Sequence, residues 1–129
     1  MLKAGILNPR INYLLSRTRH TNMIVIADRG FPFWPEIETV DLSLVDDMPT
    51  VIDVIRAIRG NFQVGTAFMA EEFRSANSKE AQMRFQNALC GVSIIFEPHL
   101  ELKKRVNQSI GLIRTGDTTQ FANVVLESA

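Results

Sequence analysis

Apolar positions along the chain alternate between a helical and an extended rhythm. Asn8-Pro9 opens the first clear element, with Asn suited to an N-cap and Pro to the first helical position. Ile11, Leu14 and Leu15 follow at helical spacing. Met23 to Ala27 is an unbroken apolar run rich in Ile and Val, the pattern of a strand covered on both faces. Ala4 to Leu7 reads as a short first strand, and Gly30 to Pro35 (GFPFWP) as a loop, because its prolines and glycine exclude a helix. Thr39 to Leu44 alternates weakly, as a strand would. Pro49 to Arg59 is apolar at 51, 52, 54, 55 and 58, a helix that Gly60 ends.

The second half continues the alternation. Phe62 to Met69 predicts a strand. Ser78 caps a helix with Ala81, Phe85, Ala88 and Leu89 on one face, and Val92 to Phe96 predicts a buried strand. A helix runs from His99 to about Gln108. Ile110 to Arg114 and Phe121 to Leu126 flank the polar stretch Thr115 to Gln120, close enough to form a C-terminal hairpin. The pattern implies an α/β fold: a Rossmann-like sandwich with a largely parallel central sheet. No repeat, low-complexity tract or linker divides residues 1–129, which points to a single domain.

Composition narrows the function classes. Lys+Arg and Asp+Glu are both 14, so the chain lacks the basic footprint expected for nucleic acid or an anionic membrane surface. The single cysteine, Cys90, excludes an intrachain disulfide and a cysteine metal cage, and its apolar neighbours suggest a small core residue. The N-terminus has no extended apolar segment resembling a secretory signal, and no apolar run approaches bilayer length. A cytoplasmic location is the default expectation. With two histidines and no cysteine cluster, no metal site is expected.

The candidate chemistry lies around the Met23–Ala27 run, with His20 before it and Asp28 immediately after. On the residues alone, His20 reads either as a helix C-terminal residue near the last carbonyls or as a general acid/base. Asp28 reads either as the start of the Arg29-Gly30 bend or as a ligand-binding group at a strand end. His99 and Lys103, four residues apart, share one helical face, which on the residues alone reads by default as a solvated one. Glu71-Glu72 read by default as a solvated helix start, and the aromatic residues of FPFWP, including Trp34, as core closure or a stacking surface.

The order of motifs resembles the D-ribose pyranase / L-fucose mutarotase family. The resemblance rests on Leu7-Asn8 before an amphipathic helix, SRTRHTN with His20, MIVIADRGFP with Asp28, AEEF at Ala70 to Phe73, His99 with Lys103, and IRTGDTTQFANVVL at Ile113 to Leu126. It covers nearly the whole chain. It implies a cofactor-free isomerase that interconverts ring forms or anomers of a free monosaccharide, assembled into a ring, commonly a homodecamer of two pentamers. The catalytic histidine then falls on His20. The substrate-binding positions fall on Asp28, His99, Lys103 and the Tyr-Ala-Asn motif, here Phe121-Ala122-Asn123.

Such chemistry needs a base for the anomeric hydroxyl and an acid for the ring oxygen. Two departures bear on the sugar. Phe121 replaces the family's tyrosine, and Arg29 stands where ribose pyranases typically carry a small residue. With the aromatic loop, these changes imply a pocket favouring a sugar with an apolar edge, such as a 6-deoxy sugar, over ribose. A ring protein that binds a sugar without catalysis is the alternative: Phe121 favours it, His20 and Asp28 argue against it. An extended chain rises about 3.3 Å per residue, so His20 and Asp28 on a straight strand would be too far apart to share one sugar. A ring of subunits, each completing its neighbour's site, would resolve this; a shorter strand with a folded-back lead-in would instead allow a single-chain site.

Overall fold

A computed structural model describes residues 1–129. The elements in chain order are α1 (Pro9–Arg17), β1 (Met23–Ala27), β2 (Thr39–Asp41), α2 (Val51–Arg59), β3 (Val64–Ala70), α3 (Glu71–Ala76), α4 (Lys79–Ala88), β4 (Ser93–Glu97), α5 (His99–Val106), β5 (Gly111–Arg114) and β6 (Val124–Ser128). The helix starts follow the sequence reading. The Asn8 side chain accepts from the N–H groups of Arg10 and Ile11, and Thr50 and Asp53 form a capping box on α2. Ser78 caps α4 by accepting from Ala81.

The strands form one six-stranded sheet in the order β2-β5-β1-β6-β3-β4. β1 pairs in parallel with β5, β5 with β2 and β3 with β4, whereas β6 lies antiparallel between β1 and β3. Every residue of β1 is buried, as its unbroken apolar run requires. Its side chains alternate between two cores. Ile24 and Ile26 join Leu14, Ile55, Ile58 and Phe85 on the face covered by α1, α2 and α4. Met23, Val25 and Ala27 join Phe31, Leu102 and Val106 on the face covered by α5.

Three sequence expectations are corrected. β5 and β6 are not a hairpin: they lie on opposite sides of β1, and Thr115–Asn123 crosses the end of that strand. That connection is too long for a tight turn, and its polar groups bond to the β1 terminus instead of to a partner strand. Thr115 donates to the Ala27 carbonyl through both its N–H (2.9 Å) and its hydroxyl (2.8 Å). Ala4 to Leu7 stays outside the sheet, with Gly5 in the left-handed region at φ 88° beside Asn61. Cys90 is exposed just beyond α4. In addition, β2 is shorter than expected, because the Asp41 carboxylate accepts from the Ser43 N–H (2.9 Å) and turns the chain.

Candidate active site

The antiparallel course of β6 determines where the site lies. Because β6 runs against its neighbours, it begins at the end of the sheet where β1, β3 and β4 finish. The residues just before β6 therefore meet the residues just after β1 and β4. A cavity of about 640 Å³ opens there, lined by Asp28, Gly30, Phe31, Pro32, His99, Lys103, Gln120, Phe121 and Asn123. Ligands in open α/β folds gather at such carboxyl ends.

Asp28 is anchored by the loop that crosses over β1. Its backbone N–H donates to Asn123 Oδ1 at 2.8 Å, across 95 positions of sequence, and Asn123 is only 3% exposed. The Arg29 N–H donates to the Asp117 carbonyl (3.0 Å), and the Asp28 carboxylate accepts from the Gly30 N–H (2.9 Å). Burial raises the Asp28 pKa above the ordinary carboxyl value. Hydrogen bonds from Gly30, the Asn123 side chain and Phe31 oppose the rise, and the nearby Asp117 adds to it.

The crossing loop is itself held from below. Buried Asp117 accepts from the N–H groups of Val51, at the start of α2, and Thr119, each at 2.8 Å. Asp47 accepts from the Thr118 N–H and hydroxyl, each at 2.8 Å. Gly116 has no room for a side chain, since a Cβ there would lie 2.2 Å from the Val45 carbonyl oxygen. Phe121 takes φ 54°, a left-handed conformation that is uncommon for a bulky residue and is kept only when the surroundings impose it.

His99 starts α5 and meets two aromatic rings edge-on, Phe121 at 5.3 Å and Phe31 at 6.4 Å between centroids. Its Nδ1 is buried with no hydrogen-bond partner. Burial and then the Lys103 charge lower its pKa, against smaller opposing effects of Glu72 and Asp28. Both facts favour a neutral imidazole, because an imidazolium would place an unpaired N–H in that buried position. Trp34 does not line the cavity. It stacks behind Phe31 at 6.4 Å and 23°, so the aromatic loop supplies one wall residue and one support.

Five of the seven residues singled out from the sequence thus come together: Asp28, His99, Lys103, Phe121 and Asn123. Ala122 does not. It is 0% exposed and packs in the core between its two cavity-lining neighbours. His20 is also absent from the cavity and lies exposed on a turn at the opposite, amino end of β1. That turn is well anchored. Thr21 takes φ 67° and donates to the Ser128 carbonyl (3.0 Å), and Asn22 Oδ1 accepts from the Arg19 N–H (2.9 Å). At about 3.3 Å per residue, β1 alone spans roughly 13 Å between the two ends. Gly30, Phe31, Pro32 and Gln120 complete the lining without having been singled out as site positions; the Phe31 signal was present in the aromatic loop. No three His, Cys, Asp or Glu side chains converge to hold a metal ion.

Helices on both faces of a mostly parallel sheet, with a polar and aromatic cavity over the strand ends, define an α/β protein built to hold a small polar ligand. The chain belongs to the RbsD / FucU transport protein family, whose model matches residues 1–129. A D-ribose pyranase from Geobacillus kaustophilus is 37% identical over 128 residues, covering 99% of this chain and 93% of the relative. One from Lactobacillus gasseri is 35% identical over 128 residues, covering 99% and 97%. The structure of Bacillus subtilis RbsD complexed with D-ribose matches with TM-score 0.93 at 31% identity, covering 100% of this chain and 98% of that one. The fucose mutarotase in complex with L-fucose from Streptococcus pneumoniae matches with TM-score 0.82 at 14% identity over 99% and 98%, a likeness of fold.

Proposed function

We propose that residues 1–129 form one pyranase/mutarotase-like domain, an isomerase that opens and recloses the ring of a free monosaccharide. The observation that carries this is the gathering of Asp28, His99, Lys103 and Asn123 in one cavity of a chain whose relatives are D-ribose pyranases. Ring opening needs a proton taken from the anomeric hydroxyl and one given to the ring oxygen. Reclosure on the opposite face yields the other anomer, and reclosure by another hydroxyl changes the ring size. His20 is the proton-transfer group. Asp28, His99, Lys103 and Asn123 hold sugar hydroxyls, and Phe121 provides an apolar wall.

Since His20 lies at the far end of β1, this assignment requires a second copy of the chain to bring its His20 to the cavity. The working unit in this reading is a cytoplasmic homo-oligomeric ring, a homodecamer by family resemblance. D-ribose and L-fucose are the two sugars to compare. The absent phenolic hydroxyl at Phe121 favours the sugar with a C–H edge, whereas the curated relatives favour ribose.

Exchange NMR on the two free sugars tests the reading. Catalytic amounts of protein are expected to accelerate exchange between ring forms or anomers of at least one of them. Saturation transfer to a bound sugar without faster exchange would establish the second reading, a non-catalytic binding protein, which the loss of the tyrosine hydroxyl favours. Neither binding nor exchange would contradict both.

A further inference from the structure

We propose that Glu72 is a positioning residue of the cavity: its carboxylate secures the first turn of α5 and thereby sets His99 and Lys103 in place. Sheet register brings the two together. β3 and β4 are parallel neighbours in which Ala70 pairs with Glu97. Counting two residues beyond each member of that pair reaches Glu72 on α3 and His99 on α5. Both Glu72 oxygens accept from the His99 N–H, at 3.2 and 3.1 Å.

The contact meets a definite need. A helix start leaves its first N–H groups without intrahelical partners. In α5 the Pro98 carbonyl accepts from Glu101 (2.8 Å) and Leu102 (3.1 Å), but Pro98 has no side chain that can cap. Glu72 therefore acts as an N-cap supplied from another helix, and its negative charge suits the helix N-terminus. It has no competing ion-pair partner. His99 and Lys103 both project from this helix into the cavity, so a shift of its first turn moves both. The charged groups facing the imidazole are Lys103 on the same helix, Glu72 on α3 and Asp28 after β1. Of these, Glu72 is the one whose contact with His99 is also a direct hydrogen bond.

The proposal rests on the reading of the cavity as a monosaccharide site, and two readouts separate the two ideas. The chain has only two histidines. In a His20→Ala background His99 is therefore the sole imidazole, and NMR follows its titration without reference to any sugar. Glu72→Gln keeps an acceptor oxygen and removes the charge; Glu72→Ala removes both. Each substitution is expected to move the His99 midpoint downward, because a negative neighbour that favours the imidazolium is lost. With His20 intact, D-ribose binding followed by calorimetry is expected to weaken about tenfold or more in Glu72→Ala and to be largely kept in Glu72→Gln. An unmoved His99 midpoint in both variants would overturn the proposal, as would undiminished sugar binding by Glu72→Ala. If the wild-type protein binds no free sugar, the monosaccharide reading fails, and the His99 titration alone decides the role of Glu72.

Discussion

The two ends of β1 are built differently. At the carboxyl end, the chain supplies everything around Asp28: Asn123 and Asp117 bond the backbone, the crossing loop is tied to α2, and His99, Lys103 and Phe121 face the same space. At the amino end, His20 lies exposed on a turn fixed by backbone bonds and a left-handed Thr21, with no other site residue beside it. One end is a pocket with titratable groups of its own, Asp28 and a histidine disposed to stay neutral. The other is an exposed histidine without a pocket. In the proposed mechanism, folding of one chain therefore completes the binding half of the site but not the catalytic half.

The largest expected effect comes from removing the isolated half. His20→Ala should slow sugar ring exchange by about 10²–10⁴-fold, the usual range for one general acid/base group. Because proton transfer stabilises the transition state more than the bound sugar, Kd for the sugar should change far less than the rate. An equal loss in binding would make His20 a binding residue and erase the contrast between the two ends.

A smaller effect, opposite in sign for stability, is expected at the other end. A carboxyl whose folded pKa is raised binds its proton more tightly in the folded state. Its contribution to stability is full below the unfolded pKa and is lost as pH rises through the folded value. For Asp28 that window opens at the ordinary value of 3.8 and extends upward. Asp28→Asn retains an oxygen for the Gly30 N–H and removes the buried charge. It should raise Tm at pH 7 and lose that gain as pH falls through the raised folded value toward 3.8, while weakening sugar binding. Thermal melts across pH measure this. A lower Tm at neutral pH would mean that the charge is satisfied in the fold and is not burdened by burial.

The smallest effect concerns the wall. Phe121→Tyr restores a hydroxyl worth about 0.5–1.5 kcal/mol when it finds a partner. It should shift the ratio of exchange rates toward D-ribose relative to L-fucose. A ratio already dominated by ribose in the wild type, and unchanged by the substitution, would reduce Phe121 to packing against His99.

Much of this architecture was legible in the sequence, for definite reasons. Unbroken apolar runs, helical spacing and side-chain caps act locally, so β1, α1, α2 and α4 fall close to where Met23–Ala27, Asn8-Pro9, the apolar positions of Pro49–Arg59 and Ser78 place them. The course of β6 was not legible. Its pairing depends on which strand can be covered at both edges, and Thr115–Gln120 reads as an ordinary polar loop until its bonds to Ala27 and α2 are seen. The site residues after β1 and β4 and before β6 were named through family resemblance; periodicity alone left Asp28, His20 and His99 with bland alternatives. Glu72 read only as part of a solvated helix start, because its partner lies 27 positions away and is a backbone N–H.

In the proposed mechanism, one working site takes Asp28 from one copy and His20 from another. Mixing tests it most directly. His20→Ala and Asp28→Asn, each first assayed alone, are unfolded together in equal amounts and refolded, and ring exchange of the best sugar is measured. The account predicts recovery of about a quarter of the wild-type rate, the fraction of sites in which random assembly joins an intact His20 to an intact Asp28. Activity no greater than the sum of the separate variants, in particles that light scattering shows to be mixed oligomers, would contradict it, and so would a fully active monomer.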